Sequence, residues 1–108
     1  MTVLVTGSNG FVGRAVVAAL IKEGVPVRGA VRKNPKALRE VEVGAISSST
    51  DWSSALVNVG TVIHTAARVH VMKDLVVDPL DEFRKVNVEG TINLARQAVS
   101  LGVKRFVF

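Results

Sequence analysis

The sequence predicts an α/β fold in which a doubly wound parallel sheet of five strands, in the order 3-2-1-4-5, carries helices on both faces. Two observations predict it. Short β-branched runs alternate with helical segments along the 108 residues, which is typical of a parallel sheet. A glycine-rich turn joins the first strand directly to a helix. Right-handed crossovers reverse the strand order between strands 1 and 4, so a ligand is expected beyond their carboxyl ends.

The elements follow from hydrophobic periodicity and from cap and turn residues. Trp52 is expected to pack against the sheet, and Thr50 or Asp51 to cap the helix that it begins. Asn34 and Asp78 are predicted N-caps, since each precedes a proline. We expect strands at Met1–Val5, Val25–Val31, Val41–Ile46, Thr61–Thr65 and Val103–Phe108, so that the chain ends inside the fifth strand. We expect helices at Phe11–Glu23, from Asn34-Pro35 through Leu38, at Trp52–Val57 and from Asp78-Pro79 to about Leu101, and a loop over residues 67–77.

The turn after the first strand has the composition of a phosphate-binding turn. Gly7 permits the tight turn, Gly10 lets the backbone approach a pyrophosphate, and Gly13 lets the helix pack closely on the strand. The helix that follows offers unpaired N–H groups and the positive end of its dipole. An ordinary βα turn is the alternative, but it does not account for a glycine inside a helix, where glycine costs about 1 kcal/mol. The pattern therefore predicts a nucleotide site.

Four segments resemble one protein family, and they occur in the order expected for it. Residues 6–13, T-G-S-N-G-F-V-G, resemble the T-G-x-x-G-[FY]-[IVL]-G signature of the extended short-chain dehydrogenases/reductases, the NAD(P)-dependent epimerase/dehydratase family. Residues 62–67 resemble its fourth strand and H-x-A-A turn, residues 87–91 its N-x-x-G-T helix segment, and residues 103–108 its fifth strand. Residues 67–72 are most similar to bacterial UDP-sugar epimerases and ketoreductases. The resemblance implies one Rossmann-type, dinucleotide-binding portion over residues 1–108.

The resemblance also implies where NAD or NADP binds. Ile46 is expected to line the adenine pocket, although Ala45 stands where many relatives carry a carboxylate, which implies a weaker grip on adenine. Ala66 and Ala67 are small where the backbone passes ribose and nicotinamide, and Asn87 is expected to support the backbone beside the cofactor; an exposed helix asparagine is the alternative. The implied cofactor-binding residues are Gly7, Asn9, Gly10, Phe11, Val12, Gly13, Arg32, Ile46, Thr65, Ala66, Ala67 and Asn87.

The end of the second strand bears on the choice between NAD and NADP. NAD sites place an acidic residue there for the ribose 2′-OH, whereas an arginine accommodates a 2′-phosphate. Here Val31 occupies the acidic position, and Arg32 and Lys33 follow it. The pattern favours NADP over NAD. Two alternatives stay open: a solvated basic turn, and stacking of Arg32 on adenine, which would not discriminate between the two cofactors.

No catalytic residue is expected in this chain. The family's acid/base is a tyrosine in a Y-x-x-x-K pair after the fifth strand, and the chain has no tyrosine. We expect the NAD(P)-binding N-terminal part of a longer enzyme that transfers a hydride at a sugar carbon. A nucleotide-sugar substrate is then expected only in the full-length protein, and this chain alone is predicted to be inactive. A non-catalytic NADP-sensing or scaffold module is one alternative. A truncated product that self-associates into a homo-oligomer through its fifth-strand edge is the other.

Composition argues against several other functions. The chain has no cysteine, so it holds neither a disulfide nor a thiolate metal site. His64 and His70 lack a further ligand for a metal, and His64 is expected to be structural. No apolar run reaches the ~20 residues that span a bilayer, and no signal peptide is recognised. We therefore expect no membrane association and a cytoplasmic location.

The charge of the chain is basic but does not indicate nucleic acid binding. The formal net charge is +5. An aromatic stacking platform and a recognition helix are both missing from the pattern. The basic residues instead cluster where the fold would meet the adenosine end of its cofactor, at Arg28, Arg32, Lys33, Lys36 and Arg39.

Overall fold

A computed structural model describes residues 1–66 and 79–108 and confirms the predicted sheet. All neighbouring strands are parallel, and their order is β3-β2-β1-β4-β5. Each βα connection therefore places its turn at the same edge of the sheet, where the strands end. The strands are β1 Thr2–Thr6, β2 Val27–Val31, β3 Glu40–Glu42, β4 Val59–His64 and β5 Arg105–Val107.

Two of the predicted helices form. Helix α1 spans Phe11–Lys22, and Gly24 follows with a φ of +75°, so the predicted glycine stop is confirmed. The helix predicted from Asp78-Pro79 to about Leu101 is a continuous helical run. It is made of α2 (Pro79–Arg84), a π-helical segment (Lys85–Glu89) and α3 (Gly90–Ser100). Its predicted cap Asp78 and the predicted loop 67–77 lie outside the described residues. Along the apolar stripe, Gly90, Leu94 and Ala98 are buried, whereas Phe83 and Leu101 are exposed.

The helix predicted from Asn34 through Leu38 does not form. Asn34 has a φ of +57°, a left-handed conformation that an N-cap residue does not adopt. The side chain of Glu40 in β3 accepts hydrogen bonds from the N–H groups of Lys36 (2.7 Å) and Ala37 (3.1 Å). A carboxylate just beyond the predicted helix, rather than the predicted cap, thus fixes this segment as an irregular loop.

The helix predicted over Trp52–Val57 does not form either. One helical hydrogen bond is present, from the N–H of Leu56 to the carbonyl of Trp52 at 3.0 Å. The Arg28 guanidinium donates to the carbonyls of Ala55 (2.8 Å) and Val57 (2.6 Å). These carbonyls accept from a side chain of β2 rather than from the next helical turn, so the segment remains a series of turns.

Strand ends also differ from the prediction. Strand β2 begins at Val27 rather than Val25, because Pro26 contributes only its carbonyl, which accepts from Val3 at 2.9 Å. Strand β3 ends at Glu42 rather than Ile46, because the chain turns at Gly44 with a φ of +75°. Strand β4 is Val59–His64 and β5 is Arg105–Val107, where 61–65 and 103–108 were predicted.

The core lies between the sheet and the helical run. Trp52 is fully buried, as predicted, and packs with Leu4 of β1, Val62 of β4 and Leu94 of α3. Burying side chains of this size contributes about 1.5–3 kcal/mol each. In the described ranges no helix has the length and apolar content needed to cross a membrane.

Helix α1 approaches the sheet through contacts that only glycine allows. A Cβ on Gly13 would overlap the carbonyl oxygen of Gly7 and would lie 2.9 Å from the Cα of Ser8. The predicted close packing of Gly13 is therefore confirmed, and its partner is the turn after β1 rather than the strand itself. In β2, a Cβ on Gly29 would lie 2.7 Å from the Cβ of Ser8. The Ser8 side chain therefore occupies the space that a side chain at position 29 would need.

His64 joins β1, β4 and α3. Its Nδ1 lies 2.6 Å from the Thr6 hydroxyl, and its Nε2 lies 3.1 Å from the Thr91 hydroxyl. The Thr6 hydroxyl also accepts from the N–H of Ala66 at 3.2 Å. This arrangement is the structural role expected for His64. Burial lowers the pKa of His64, because the charged imidazolium loses its hydration there.

Replacing Gly13 by alanine is expected to destabilise the fold by about 2 kcal/mol or more, because the new methyl group displaces α1 from the turn below it. Chemical denaturation of the ligand-free chain measures this loss. Gly10→Ala is the matched control, since its Cβ would lie 3.3 Å from the Gly7 oxygen, a contact that a small shift relieves. Equal stabilities of the two variants would contradict the packing role of Gly13.

The free energy of unfolding is expected to fall as pH drops from about 6.5, the ordinary value for histidine, toward the lower pKa of folded His64. In that window the unfolded chain binds a proton that the folded chain does not, so stability decreases by up to about 1.4 kcal/mol per pH unit. The pKa values of Glu40 and Asp51 are also lowered, by hydrogen bonds. Protonation of these two carboxylates lowers the free energy of unfolding only at pH values below the ordinary carboxyl pKa.

Denaturation curves between pH 5.5 and 7.5 check this dependence, these pH values being about one unit on either side of the ordinary histidine pKa. The His64→Gln variant is expected to be less stable at neutral pH and to lose the slope. A slope that persists in His64→Gln would assign it to another group.

Candidate dinucleotide-binding site

A cavity of about 1060 Å³ opens at the edge of the sheet where the parallel strands end. It lies at the place predicted from the strand order, and its size is at the upper end for sites that bind small molecules and cofactors. Its walls come from the glycine turn after β1, the segments that follow β2 and β3, the end of β4, and two residues of the π-helical segment.

Most of the predicted site residues line this cavity. Ala67 lies outside the described residues. Asn87 is half-buried in the π-helical segment and is not among the lining residues in the described part of the chain, although its neighbour Val86 is. The predicted residues that the structure brings together are Gly7, Asn9, Gly10, Phe11, Val12, Gly13, Arg32, Ile46, Thr65 and Ala66.

The glycine turn leaves the N-terminus of α1 open to the cavity. Gly7 has a φ of +63°, and a Cβ on it would lie 2.9 Å from the Cα of Ala66. Gly10 is the N-cap residue, so no side chain caps the helix, and the first turn has no acidic residue. The N–H groups of the first turn have no acceptor within the helix. Together with the helix dipole they form a site for an anion.

Side chains around the turn hold its backbone in place. The Arg14 Nε donates to the carbonyl of Asn9 at 3.0 Å. The Thr65 hydroxyl donates to the carbonyl of Thr6 at 2.5 Å, which ties the end of β4 to the end of β1. The protein itself thus holds the turn in this conformation, and such preorganisation lowers the entropic cost of binding.

The cavity is electropositive. Among its lining residues in the described part of the chain there is no aspartate or glutamate. Lys85 also forms an ion pair with Asp81 at 3.2 Å on the exposed side of the helix. Fixed cations around a concave site favour a ligand with phosphate groups. The lining cations are Arg32, Lys33, Lys36 and Lys85.

The basic cluster predicted from the sequence therefore divides into two groups. Arg28 and Arg39 are not among the lining residues, and Arg28 instead holds the turns after Trp52. The loop that carries the cavity-lining cations is held by the carboxylates of β3. Glu40 accepts from Lys36 and Ala37, and these bonds lower the pKa of Glu40.

Two polar residues of α3 were not predicted from the sequence. Asn93 and Gln97 hydrogen-bond the segment that follows β3, whose residues Ala45, Ile46 and Ser47 line the cavity. The only signal for them was two amide side chains at i and i+4, beside the buried positions Leu94 and Ala98. That spacing predicts a pair on one helix face but does not identify what the pair contacts.

The residues present fit a dinucleotide. An uncapped helix N-terminus with a glycine at the point of closest approach accommodates a pyrophosphate. Arg32 stands at the end of β2, where an adenosine ribose lies in sites of this topology. Within residues 1–66 and 79–108, no three His, Cys, Asp or Glu side chains gather to hold a metal ion. His70 lies outside those ranges.

Comparison with known proteins gives consistent matches. A UDP-glucose 4-epimerase of Vibrio cholerae is 47% identical over 110 residues, which cover 99% of this chain and 34% of that protein. A short-chain dehydrogenase/reductase superfamily protein of Agrobacterium tumefaciens, solved with bound NAD, is 40% identical with a TM-score of 0.77, covering 100% of this chain and 32% of that one. MoeE5, solved with UDP-glucose and NAD, is 32% identical with a TM-score of 0.81, covering 98% and 35%.

This chain thus spans about a third of the length of the relatives that it matches. The model of the NAD dependent epimerase/dehydratase family, named Epimerase, matches residues 3–108. Nearly the whole chain is included in that match, from the glycine turn to the fifth strand. The chain belongs to the NAD dependent epimerase/dehydratase family.

Proposed function

We propose that this chain binds NAD or NADP and is the dinucleotide-binding part of an enzyme that epimerises, dehydrates or reduces a nucleotide sugar. The observation that carries the proposal is the open N-terminus of α1 at Gly10, which meets a cavity lined by cations and by no carboxylate in the described residues. The binding of NAD by the 40% identical protein and of UDP-glucose and NAD by MoeE5 supports it.

Each part of the cavity has a role in this proposal. The N–H groups of the first turn of α1 bind the pyrophosphate, and Gly10 leaves room for it. Arg32 binds the adenosine ribose, and Ile46 packs against adenine. Thr65 and Ala66 approach the nicotinamide half. A contact of Ala67 with the cofactor, and support by Asn87 of the backbone beside it, stay predictions from the sequence. When bound, the nicotinamide ring supplies the hydride acceptor.

NADP is the proposed preference over NAD. Val31, at the position of the ribose-binding acid, is 2% exposed and cannot accept a hydrogen bond. Arg32, Lys33 and Lys36 all line the same end of the cavity. A guanidinium can pair with two phosphate oxygens at once, which strengthens the contact to a 2′-phosphate. The two dinucleotides differ only there, so the preference depends on these cations.

The role proposed for this chain in the reaction is limited to holding the dinucleotide. The chain contains no tyrosine, so the acid/base that the family uses has no counterpart here. We propose that this chain holds the dinucleotide without turnover, and that a nucleotide sugar binds only in a longer protein. We also propose that its cations serve the phosphates of the dinucleotide rather than nucleic acid, and that it resides in the cytoplasm, where these coenzymes are used.

Replacing Gly10 by valine is expected to abolish dinucleotide binding, because the branched side chain enters the space of the pyrophosphate. Calorimetric titration of the chain with NAD and NADP measures the loss. Circular dichroism is expected to show a retained fold, since the first Cβ at this position meets only the Gly7 oxygen, at 3.3 Å. Unchanged affinity in a folded variant would contradict the proposed position of the pyrophosphate.

Removing the Arg32 side chain is expected to weaken NADP far more than NAD. The loss of a charge-assisted contact to the 2′-phosphate is worth about 1.5–3 kcal/mol, or roughly a 10- to 150-fold change in Kd. Parallel titrations of Arg32→Ala with both dinucleotides test this.

Arg39→Ala is the matched control, because Arg39 belongs to the same basic segment but does not line the cavity. It is expected to leave both affinities within about twofold, the range of a surface charge. An equal loss of NAD and NADP in Arg32→Ala would indicate stacking on adenine instead.

A further inference from the structure

One face of α3 contacts the segment between β3 and Trp52 along its whole length. Gly90, Asn93 and Gln97 have the spacing i, i+3 and i+7, so they lie on the same side of the helix. At Gly90 the contact is steric: a Cβ there would lie 2.6 Å from the Cγ2 of Ile46. Further along the helix the contact is made by hydrogen bonds. The helix therefore determines how far Ile46 projects into the cavity.

Asn93 attaches the first half of this segment to the helix. Its Nδ2 donates to the carbonyl of Ser47 at 3.2 Å and to the carbonyl of Thr50 at 2.9 Å. Both acceptors are backbone groups of a stretch without strand or helix. Ser47 itself lines the cavity, so the bond from Asn93 reaches a residue of the wall.

Gln97 attaches the second half and orients Asn93. Its Nε2 donates to the Thr50 carbonyl and to the Asn93 Oδ1, both at 2.8 Å. Its Oε1 accepts from the N–H of Trp52 at 2.8 Å. Both ends of the Gln97 amide are thus used, and the Trp52 side chain that follows is anchored in the core.

Up to Gly44 the chain is attached to the sheet, because the N–H groups of Val43 and Gly44 donate to the carbonyls of Val31 (2.9 Å) and Arg32 (3.1 Å). Ile46 also packs against the hydrophobic core. Strand β3 ends at Glu42, and Gly44 turns the chain away from the sheet. Within the segment, the Thr50 hydroxyl donates to the Ala45 carbonyl and accepts from the N–H of Ser47, both at 2.9 Å. These local bonds shape the loop but do not attach it to a neighbouring element. Beyond Gly44, side-chain hydrogen bonds from α3 attach it, at Ser47, Thr50 and Trp52.

We infer that Asn93 and Gln97 are positioning residues that hold the adenine-side wall, Ala45 to Ser47, at the distance that cofactor binding requires. The inference rests on the proposed function, since it assigns adenine to this wall. The two amides touch no ligand. They act through Ile46, which lies between Val43 and Gly44, bonded to the end of β2, and Ser47 and Thr50, bonded to α3.

Binding of AMP and of inorganic pyrophosphate separates this role from general destabilisation. AMP needs the wall, whereas pyrophosphate needs only the N-terminus of α1 and nearby cations. In Asn93→Leu, which removes both donors without adding charge, the Kd for AMP is expected to rise about tenfold, or 1.4 kcal/mol. The Kd for pyrophosphate is expected to stay within about twofold, since the glycine turn makes no contact with Asn93.

Arg28→Met is the matched control variant. It also removes two side-chain bonds to backbone carbonyls, but in the turns that follow Trp52 and outside the cavity. It is expected to lower the melting temperature while leaving the ratio of the AMP and pyrophosphate affinities unchanged. NMR titration of the labelled full chain and of both variants measures the affinities for AMP and for pyrophosphate. Should Asn93→Leu fail to fold, Gln97→Met takes its place in the comparison. It removes the bonds of Gln97 to Thr50, Trp52 and Asn93 and keeps the two bonds of Asn93 to the loop.

Two outcomes would overturn the inference alone: an equal loss of AMP and pyrophosphate in the α3 variants, or an AMP affinity that these variants share with Arg28→Met. Failure of the unchanged chain to bind AMP, NAD and NADP would contradict the proposed function as well. The experiment thus distinguishes an incorrect role for Asn93 and Gln97 from an incorrect ligand.

Discussion

The direct contact between the first turn of α1 and the turn that follows β1 is the constraint on which the site depends. Gly13 lies so close to the Gly7 carbonyl that no side chain fits between them. This contact sets the height and direction of α1 above the sheet, so its N-terminus meets the cavity at Gly10. Because an uncapped helix end attracts anions, a packing requirement of the backbone also creates the place where phosphate binds.

Side-chain hydrogen bonds then fix the segments that regular structure does not reach, some of them in the cavity wall and some outside it. Glu40 shapes the basic loop after β2, and Arg28 holds the turns after Trp52. His64 and Thr6 join β4 to β1 beneath the glycine turn. Each of these polar groups is fully or partly shielded from water and has a defined partner. Such bonds are costly to leave unmade, so they select one conformation for each loop.

The charged residues form two groups: cations that line the cavity, and carboxylates that hold the backbone of the basic loop. Cations that line the cavity come from the loop after β2 and from the π-helical segment, two elements that are distant in sequence. The carboxylates of β3 face the backbone of that basic loop and accept its N–H groups. Glu40 and Glu42 shape this basic wall through its backbone N–H groups but are not among the lining residues in the described part of the chain, so the lining itself keeps its positive charge. This arrangement is consistent with family membership and with a ligand that carries several phosphates.

The sequence by itself determined the sheet, its strand order and the glycine turn, because these depend on local alternation, on handed crossovers and on residues that lack a Cβ. It did not determine the segments 34–38 and 52–57, where cap and periodicity signals predicted helices. Two side chains outcompete those signals: Glu40, which lies just beyond the first segment, and Arg28, which reaches the second from a distant part of the chain. The wall around Ile46 was likewise decided only in the tertiary structure, since Asn93 and Gln97 reach it across more than forty residues of chain. Local propensity is worth a few tenths of a kcal/mol per residue, whereas one hydrogen bond contributes about 1 kcal/mol, so a side-chain partner prevails wherever the local helix signal is short.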